Sequence, residues 1–339
     1  LDDTAWEKSL IFELNYETNP GENVQPPVKT ECRMTYSESH IYYGCHAFDP
    51  EPEKIRARYS DRDNSFPTDD VVGLAVDPFN AQNTSFVFDV NPLGVQNDRV
   101  YSEISGRSDP SWDALWDSAG RLVDDGYVVE AKIPFSSLRF PRGNGEEQTW
   151  GFNFRRYHPR EVFRRISIHP FDRNNSCRLC QHSELVGFVD VDPGRSLEIT
   201  PTLVGTRSSE MDEDEFPDGK LAAEDPDLDP GLFVSWGMTP NMNLSGTINP
   251  DFSQVEADVA QLDINQQFAL FFPELRPFFL EGASFFDTRI RAVHTRNLAD
   301  PNWGVKLTGQ EGKNGIGVLA VEDAQTNLLL PGPEAVSYT

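Results

Sequence analysis

The stretch Gly126-Tyr127-Val128-Val129-Glu130-Ala131-Lys132-Ile133-Pro134-Phe135 alternates side chains with a period of two, the pattern of a half-buried β-strand rather than of a helix. Ser85 to Val90 alternates in the same way and is turned by Asn91-Pro92-Leu93-Gly94. Trp150 to Arg156 is a third such strand. Val71 to Val76 is a compact apolar run closed by Asp77-Pro78-Phe79-Asn80. Nothing in residues 1–192 holds a helical period over several turns. Short strands with turn punctuation between them predict an all-β domain, a β-sandwich rather than βαβ units.

The pattern changes in residues 193–339, after Asp192-Pro193-Gly194. One strand-like run spans Ser196 to Thr206, and an acidic loop (207–230) with almost no apolar content follows. Leu232 to Met238 and Met242 to Asn249 are joined by the tight turn Thr239-Pro240-Asn241. Trp303 to Gly309 and Ile316 to Glu322 flank a second tight turn at Glu311-Gly312-Lys313-Asn314-Gly315. Between the hairpins lies the Phe-rich segment 250–301. Very short connections alternating with very long ones match the periplasmic turns and outer loops of outer-membrane barrels. This places the Pro240 and Lys313 turns, and with them the N-terminal domain, in the periplasm of a Gram-negative cell. Five wall strands fall short of the ~8 that closure takes, so the barrel is expected to continue beyond this chain. A soluble two-domain β protein is the alternative. In the barrel reading the Phe-rich segment is a plug in the mouth, with Glu274, Arg276 and Glu281 forming internal ion pairs.

Composition narrows the function. The 339 residues carry 55 acidic and 29 basic side chains, a formal net charge of −26. That balance disfavours nucleic acid as a partner, since phosphate binding depends on basic patches. No apolar run approaches the ~20 residues of a membrane-crossing helix. The opening Leu1-Asp2-Asp3 reads as a processed or excised piece.

Four cysteines allow three pairings. If Tyr36 pairs with Ile41 around the turn Ser37-Glu38-Ser39-His40, Cys32 stands opposite Cys45, as a disulfide or as two buried thiols. Cys177-Arg178-Leu179-Cys180 is followed by Gln181 before His182, which breaks the pattern of covalent haem attachment. With His182 the two thiols could supply most of a zinc site, or they form a local disulfide in an oxidising compartment.

A nucleophile elbow, a phosphate loop and a zinc-protease helix motif are all missing, so no catalysis is read. Arg155, Arg156, Arg160, Arg164 and Arg165 fall in one stretch with His158, His169 and His182. They either brace the strands or bind an anionic ligand. Asp61, Asp63 and Asn64, followed by Asp69 and Asp70, are candidate calcium ligands, because Ca2+ takes ~6–8 oxygens. Asp251, Glu256 and Asp258 form a second acidic group.

Several segments resemble a known family. Leu1 to Trp6, Val72 to Phe79, Asn91 to Asp98, Ser111-Trp112-Asp113-Ala114-Leu115-Trp116 and Ile133 to Pro141 resemble the family-9 carbohydrate-binding-like domain that heads a set of bacterial outer-membrane proteins. Asn249 to Asp258 and Phe271 to Gly282 resemble the segment that opens their barrel. The resemblance implies a sugar site between two tryptophans. The candidates are Trp112 and Trp116, with Gln96, Asn97 and Asp98 on the hydroxyls; the alternative is that both indoles cap the sandwich core. Gly73 stands where a sugar-binding acid is aligned, and no Arg or Lys lies on Ser85 to Val90. The expectation is therefore a non-enzymatic envelope protein that binds or transports a glycan or small solute and contacts outer-membrane lipid. The competing expectation is an assembly subunit whose sandwich docks an envelope partner protein. A haem-binding accessory, with Met34, Met211, Met238 or Met242 as ligands, is the third.

Overall fold

The computed structural model describes residues 4–63, 68–103, 106–110, 112–140, 145–191, 197–207, 209–210, 222–223, 227–239, 242–250, 274, 276–286, 293, 295, 298, 301–311, 314–324, 329–331 and 336–338. Asn64, Met211, Asp251, Glu256, Asp258, the Pro240 and Lys313 turns, and most of the acidic loop and Phe-rich segment lie outside them. The chain divides into two compact units, Leu1–Ser196 with Glu311–Asn314, and Leu197–Gln310 with Gly315–Thr339.

The first unit is all-β, as its alternation predicts. Its strands are β1 (Leu10–Glu13), β2 (Tyr16–Asn19), β3 (Thr30–Tyr36), β4 (His40–Phe48), β5 (Val71–Asp77), β6 (Thr84–Val90), β7 (Gln96–Ser102), β8 (Arg107–Asp109), β9 (Asp117–Val123), β10 (Gly126–Pro134), β11 (Gln148–Pro159), β12 (Phe163–Ser167) and β13 (Ser183–Phe188). They form two sheets, one ordered β1-β3-β4-β10-β9 and the other β2-β12-β11-β5-β6-β7-β8, with β13 also pairing with β11. One hydrophobic core joins them: Tyr43, Tyr127 and Val129 of the first sheet meet Leu74, Phe88, Trp150 and Phe154 of the second. Burying each such side chain stabilises the fold by roughly 1.5–3 kcal/mol. Tyr36 pairs with Ile41 and Cys32 with Cys45, and those cysteines form a disulfide. Cys177 and Cys180 form a second disulfide. The zinc alternative for that pair is thereby corrected, because both sulfurs are bonded to each other and no thiolate is left to bind metal.

The second unit contains β14 (Leu197–Thr206), the short pair β15 (Ser209–Glu210) and β16 (Ala222–Ala223), then β17 (Asp227–Thr239), β18 (Met242–Ile248), β19 (Pro301–Glu311), β20 (Asn314–Asp323), β21 (Leu329–Pro331) and β22 (Val336–Tyr338). The five long strands make one sheet, ordered β14-β17-β18-β19-β20. Among the described residues this sheet does not close on itself.

Its two faces are inverted relative to a water-soluble sheet. The register aligns Leu197, Trp236, Leu244 and Leu307 in one row, and Pro201, Leu232, Ile248 and Trp303 in another. Ile199 and Ile248 are 60% and 59% exposed on that side. The opposite face carries Ser235, Asn243, Ser245, Thr247, Lys306 and Thr308, all buried. The described part of the Phe-rich segment packs there. Glu281 accepts hydrogen bonds from Ser235 (2.9 Å), Asn243 (3.0 Å) and Ser245 (3.0 Å), and Lys306 donates to the carbonyls of Phe278 and Glu281. Arg276 pairs with Glu274 at 2.8 Å.

Candidate functional site

Strand alternation sorts the basic stretch onto two faces. On β11, Phe152 and Phe154 enter the core, so Asn153, Arg155 and Tyr157 face away from it and line a cavity of about 140 Å³. β12 adds Arg165 and Ser167, β7 adds Arg99 and Tyr101, and β5 and β6 contribute Ala75, Ser85 and Val87. The chain after β12 completes the lining with His169, Phe171, Arg178, Leu179 and His182.

That rim segment is tied down at several points. The Asn23 amide donates to the Phe171 carbonyl (3.0 Å) and accepts from the Phe171 N–H (2.6 Å). Glu103 accepts from the backbone N–H groups of Arg178 (3.0 Å) and Leu179 (2.9 Å), and the Cys177–Cys180 disulfide lies within it.

The cavity is positively charged. Its lining holds four arginines and no carboxylate. Beside it the buried Asp89 is gripped by Arg155 (Nη2 to Oδ1, 2.8 Å) and by Arg99 (Nη2 to Oδ2, 2.8 Å). Gly73, paired across from Asp89, makes this grip sterically feasible: a Cβ at Gly73 would sit 1.9 Å from Asp89 Oδ1. A carboxylate thus stands opposite position 73, on the neighbouring strand.

Arg165 differs from Arg99 and Arg155. Its Nε is buried with no hydrogen-bond partner, while its guanidinium lies 5.7 Å from the centre of the Tyr157 ring that Arg155 approaches at 5.6 Å. Burial, reinforced by the charges of Arg178, Arg155 and Arg99, pushes Arg165 below the usual arginine range. Arg178 sits over the Tyr101 and Phe171 rings at 5.9 and 5.8 Å.

The histidines are neutral at pH 7. Burial holds His169 down to about 4, and burial together with His169 and Arg155 takes His182 to about 3. Their rings stand 5.6 Å apart, and the Nδ1 atom of each has no partner. A neutral imidazole can both donate and accept, which suits a hydroxyl-rich ligand.

The other arginines of the stretch are paired. Arg160 bridges Asp49 (2.6 Å) and Asp70 (2.7 Å), and the fully buried Arg156 reaches Asp49 at 3.3 Å. His158 is 3.2 Å from Asp49, and burial followed by Arg156 and Arg160 lowers it to about 4. Arg164 pairs with Glu17 at 3.2 Å.

The residues expected to hold calcium are divided. Asp70 converges with Asp49 and His158, and Asp63 with Asp98 and Asp113. Guanidinium groups meet both clusters, Arg62 reaching Asp98 at 2.5 Å and Asp113 at 2.7 Å in the second. Burial, with the Asp98 and Asp113 charges adding, raises Asp63 to about 6. Asp69 is held by Arg58 (3.1 Å) and Asn91 (3.1 Å), and Asp61 is exposed.

Neither expected tryptophan lines the cavity. Trp116 is 7% exposed and packs edge-on against Phe88 at 5.2 Å, while Trp112 is half-buried against Phe86 at 5.0 Å. Gln96 donates to the Trp116 carbonyl (2.7 Å), and Asp98 accepts from the Ala114 N–H (2.7 Å). Asn97 alternates to the other side of β7, where it accepts from Arg99 (2.5 Å). Of the residues that sequence reasoning missed, Asn153 is flanked on β11 by the apolar Phe152 and Phe154, which is a legible alternation, whereas Arg99, Tyr101 and Tyr157 stand next to polar positions such as Asp98, Ser102 and His158, where no alternation marks them. A wider depression of about 620 Å³ includes Trp6, Tyr36 and Tyr42, but none of its lining atoms is a buried polar group without a partner.

Fold and cavity together define a two-sheet β-sandwich with a polar cavity on the outer face of one sheet. Comparison with known proteins is more specific. Residues 1–169 match the family described as carbohydrate family 9 binding domain-like, so the N-terminal unit carries a domain of that kind. Residues 204–291 match a domain of unknown function, DUF5916. Among solved structures, the chain is similar to a carbohydrate-binding protein from Bacteroides uniformis, at 15% identity over 53% of this chain and 87% of that one, with a TM-score of 0.42. It is also similar to a family 9 carbohydrate binding module from Caldicellulosiruptor kristjanssonii in complex with cellotriose, at 16% identity over 54% and 84%, TM-score 0.38. The glucose complex of a module from that organism gives 14% identity over 54% and 86%, TM-score 0.40. No curated protein matches the chain.

Proposed function

We propose that the first unit binds a carbohydrate in the cavity formed by β5, β6, β7, β11 and β12, as a recognition domain without catalysis. The observation that carries this reading is the set of neutral, unpartnered imidazoles, His169 and His182, beside Tyr101, Tyr157 and Asn153, in a domain that matches a carbohydrate-binding family. Rings stack on sugar C–H faces, and imidazole and amide groups satisfy hydroxyls. At about 140 Å³ the cavity is smaller than the ~300 Å³ of drug-sized sites, which suits a single sugar unit or a chain end.

Calorimetric titration of the full chain in detergent against a panel of mono- and oligosaccharides tests this. Binding is expected, and Tyr157→Ala should weaken it at least about tenfold. Trp112→Phe addresses the tryptophan site suggested by the sequence. If that variant abolishes binding while Tyr157→Ala does not, recognition lies at Trp112. Silence from every sugar overturns the reading.

The second unit supports an envelope location, with its sheet as part of an outer-membrane barrel wall. Apolar residues on the exposed face and polar residues on the covered one are what lipid outside and a polar lumen require. The connection from β17 to β18 runs only from Thr239 to Met242, whereas that from β18 to β19 runs from Ile248 to Pro301; this difference in length supports reading the short turn as a periplasmic one, since outer-membrane barrels have short periplasmic turns and long outer loops. Trp236 and Trp303 belong to the exposed face, 43% and 42% exposed. In vesicles, chain-labelled quenching lipids should dim their fluorescence, and the double variant Trp236→Phe, Trp303→Phe should lose that quenching. Equal quenching with and without the two indoles speaks against insertion.

A further inference from the structure

We infer that the saccharide recognised by this cavity is anionic, a sugar unit bearing a carboxylate or sulfate that Arg165 and Arg178 receive. The inference rests on the carbohydrate reading above and adds the ligand's charge.

The first argument is charge balance. In a chain with 55 acidic and 29 basic side chains, four arginines converge on one lining that contains no Asp or Glu. Asp89 meets two of them, Arg99 and Arg155. Glu103 lies at the rim, where its carboxylate is engaged by the backbone N–H groups of Arg178 and Leu179. The cavity therefore keeps a surplus of positive charge.

The second argument is the state of Arg165. Its immediate neighbour Arg164 has a carboxylate, Glu17, at 3.2 Å, so the fold is able to pair an arginine on this strand. Arg165, facing the cavity, instead has a buried Nε without a partner and other guanidiniums around it. Burying an uncompensated charge is costly, and a group held in that condition inside a cleft marks a functional position. An incoming oxyanion would remove the cost, since a guanidinium fork accepts carboxylate or sulfate in a bidentate fashion. Arg178, exposed at the rim and laid over Tyr101 and Phe171, is placed for the opposite side of the same group.

The neutral imidazoles complete the division of labour. His169 and His182 add no charge near pH 7 and remain available for hydroxyls, so charge and hydroxyl recognition fall to different residues.

The test titrates the full chain with three oligosaccharides of one backbone, terminated by a uronic acid, by a sulfated sugar, or by the neutral sugar, at low and high salt. An acidic terminus should bind at least about tenfold more tightly than the neutral one, the increment of one charge-assisted pair. That preference should shrink several-fold between about 0.05 and 0.5 M salt. Arg165→Gln should remove most of the preference, read as the ratio of acidic to neutral affinity in the same variant. Arg178→Gln, at an exposed position with little consequence for folding, should do the same to a smaller degree. The uronate and sulfate arms separate the two sources of charge. If the neutral sugar binds as tightly as either acidic one, the anionic inference falls and the carbohydrate reading stands. If none of the three binds, while inorganic sulfate still protects the chain against thermal unfolding, the carbohydrate reading itself falls.

Discussion

Arg155 and Arg156 are adjacent in sequence and both deeply buried, at 12% and 0% side-chain exposure, yet they serve networks of opposite balance. Arg156, with Arg160, faces Asp49 and Asp70, two guanidiniums to two carboxylates. Arg155 faces the cavity, where Asp89 answers both it and Arg99, and where Arg165 and Arg178 add further positive charge. A buried network whose guanidiniums and carboxylates balance has its charge pairing before any ligand arrives. One with surplus positive charge has not, which is the basis for the proposal that an anionic group from outside completes it. The contrast separates a charge-balanced cluster from a charge-surplus one within one basic stretch, where residue type alone does not.

The largest way to stress both networks at once is acid. His158 in the balanced network and His169 and His182 in the cavity have folded values near 4, 4 and 3, below the ordinary value of ~6.5. The unfolded chain then takes up protons first. The stability these histidines contribute is present above ~6.5 and is lost as pH falls toward the folded values, about 2 kcal/mol each by pH 5. Asp63, raised to about 6, opposes this, since the folded state binds its proton first between the ordinary carboxylate range and that value. Denaturant midpoints of the first unit, followed by tyrosine and tryptophan signals, should fall clearly between pH 7 and 5. A flat midpoint would mean that the imidazoles are not buried neutral.

Breaking the balanced network alone comes next. Asp49→Asn leaves Arg156 buried and Arg160 half-paired, and should destabilise the first unit by about 3–5 kcal/mol in urea unfolding, with the cavity residues untouched. A loss below about 1 kcal/mol would show that the network is not closed as described. Gly73→Ala acts on the other side. Its methyl must displace Asp89, at a cost of about 1–3 kcal/mol, and saccharide binding should weaken because Arg155 and Arg99 lose their common anchor. Normal binding in a destabilised Gly73→Ala would separate Asp89 from the site.

The alternation that revealed the strands also carries the site, but only once the core side of each strand is known. The pairing of Cys32 with Cys45 was legible because a hairpin register follows from its turn. The five long strands of the second unit were legible as runs between turns. The division of Arg155 from Arg156 was not, because parity assigns faces only relative to a neighbour, and β11 lies between β5 and β12, both distant in sequence. Gly73 was misleading for a related reason. Read along one strand it is a missing acid, whereas across the sheet it is the space that Asp89 fills. The tryptophans drew attention as large rings near amides, and Trp116 is spent on the core against Phe88.

The finest test of the comparison lies in stability rather than binding. Arg156, fully buried, and Arg165, half-buried, lie on adjacent strands, whose register sets Arg156 against Ile166 and Tyr157 against Arg165. Replacing each by Met keeps the apolar stem and removes the charge. Arg156→Met strands Asp49 and Asp70 with Arg160 alone and should be destabilising. Arg165→Met removes a guanidinium that faces a lining without a carboxylate and that its neighbours Arg178, Arg155 and Arg99 repel. It should leave the unliganded protein unchanged, or more stable by up to about 1 kcal/mol, the gain that often follows when a site residue's strain is relieved. Adding the acidic saccharide should then reverse the order, because the parent protein gains stability by mass action and the Arg165→Met variant does not. Equal losses from the two substitutions in unliganded protein would place Arg165 in a brace like that of Arg156, and the distinction between the networks would collapse.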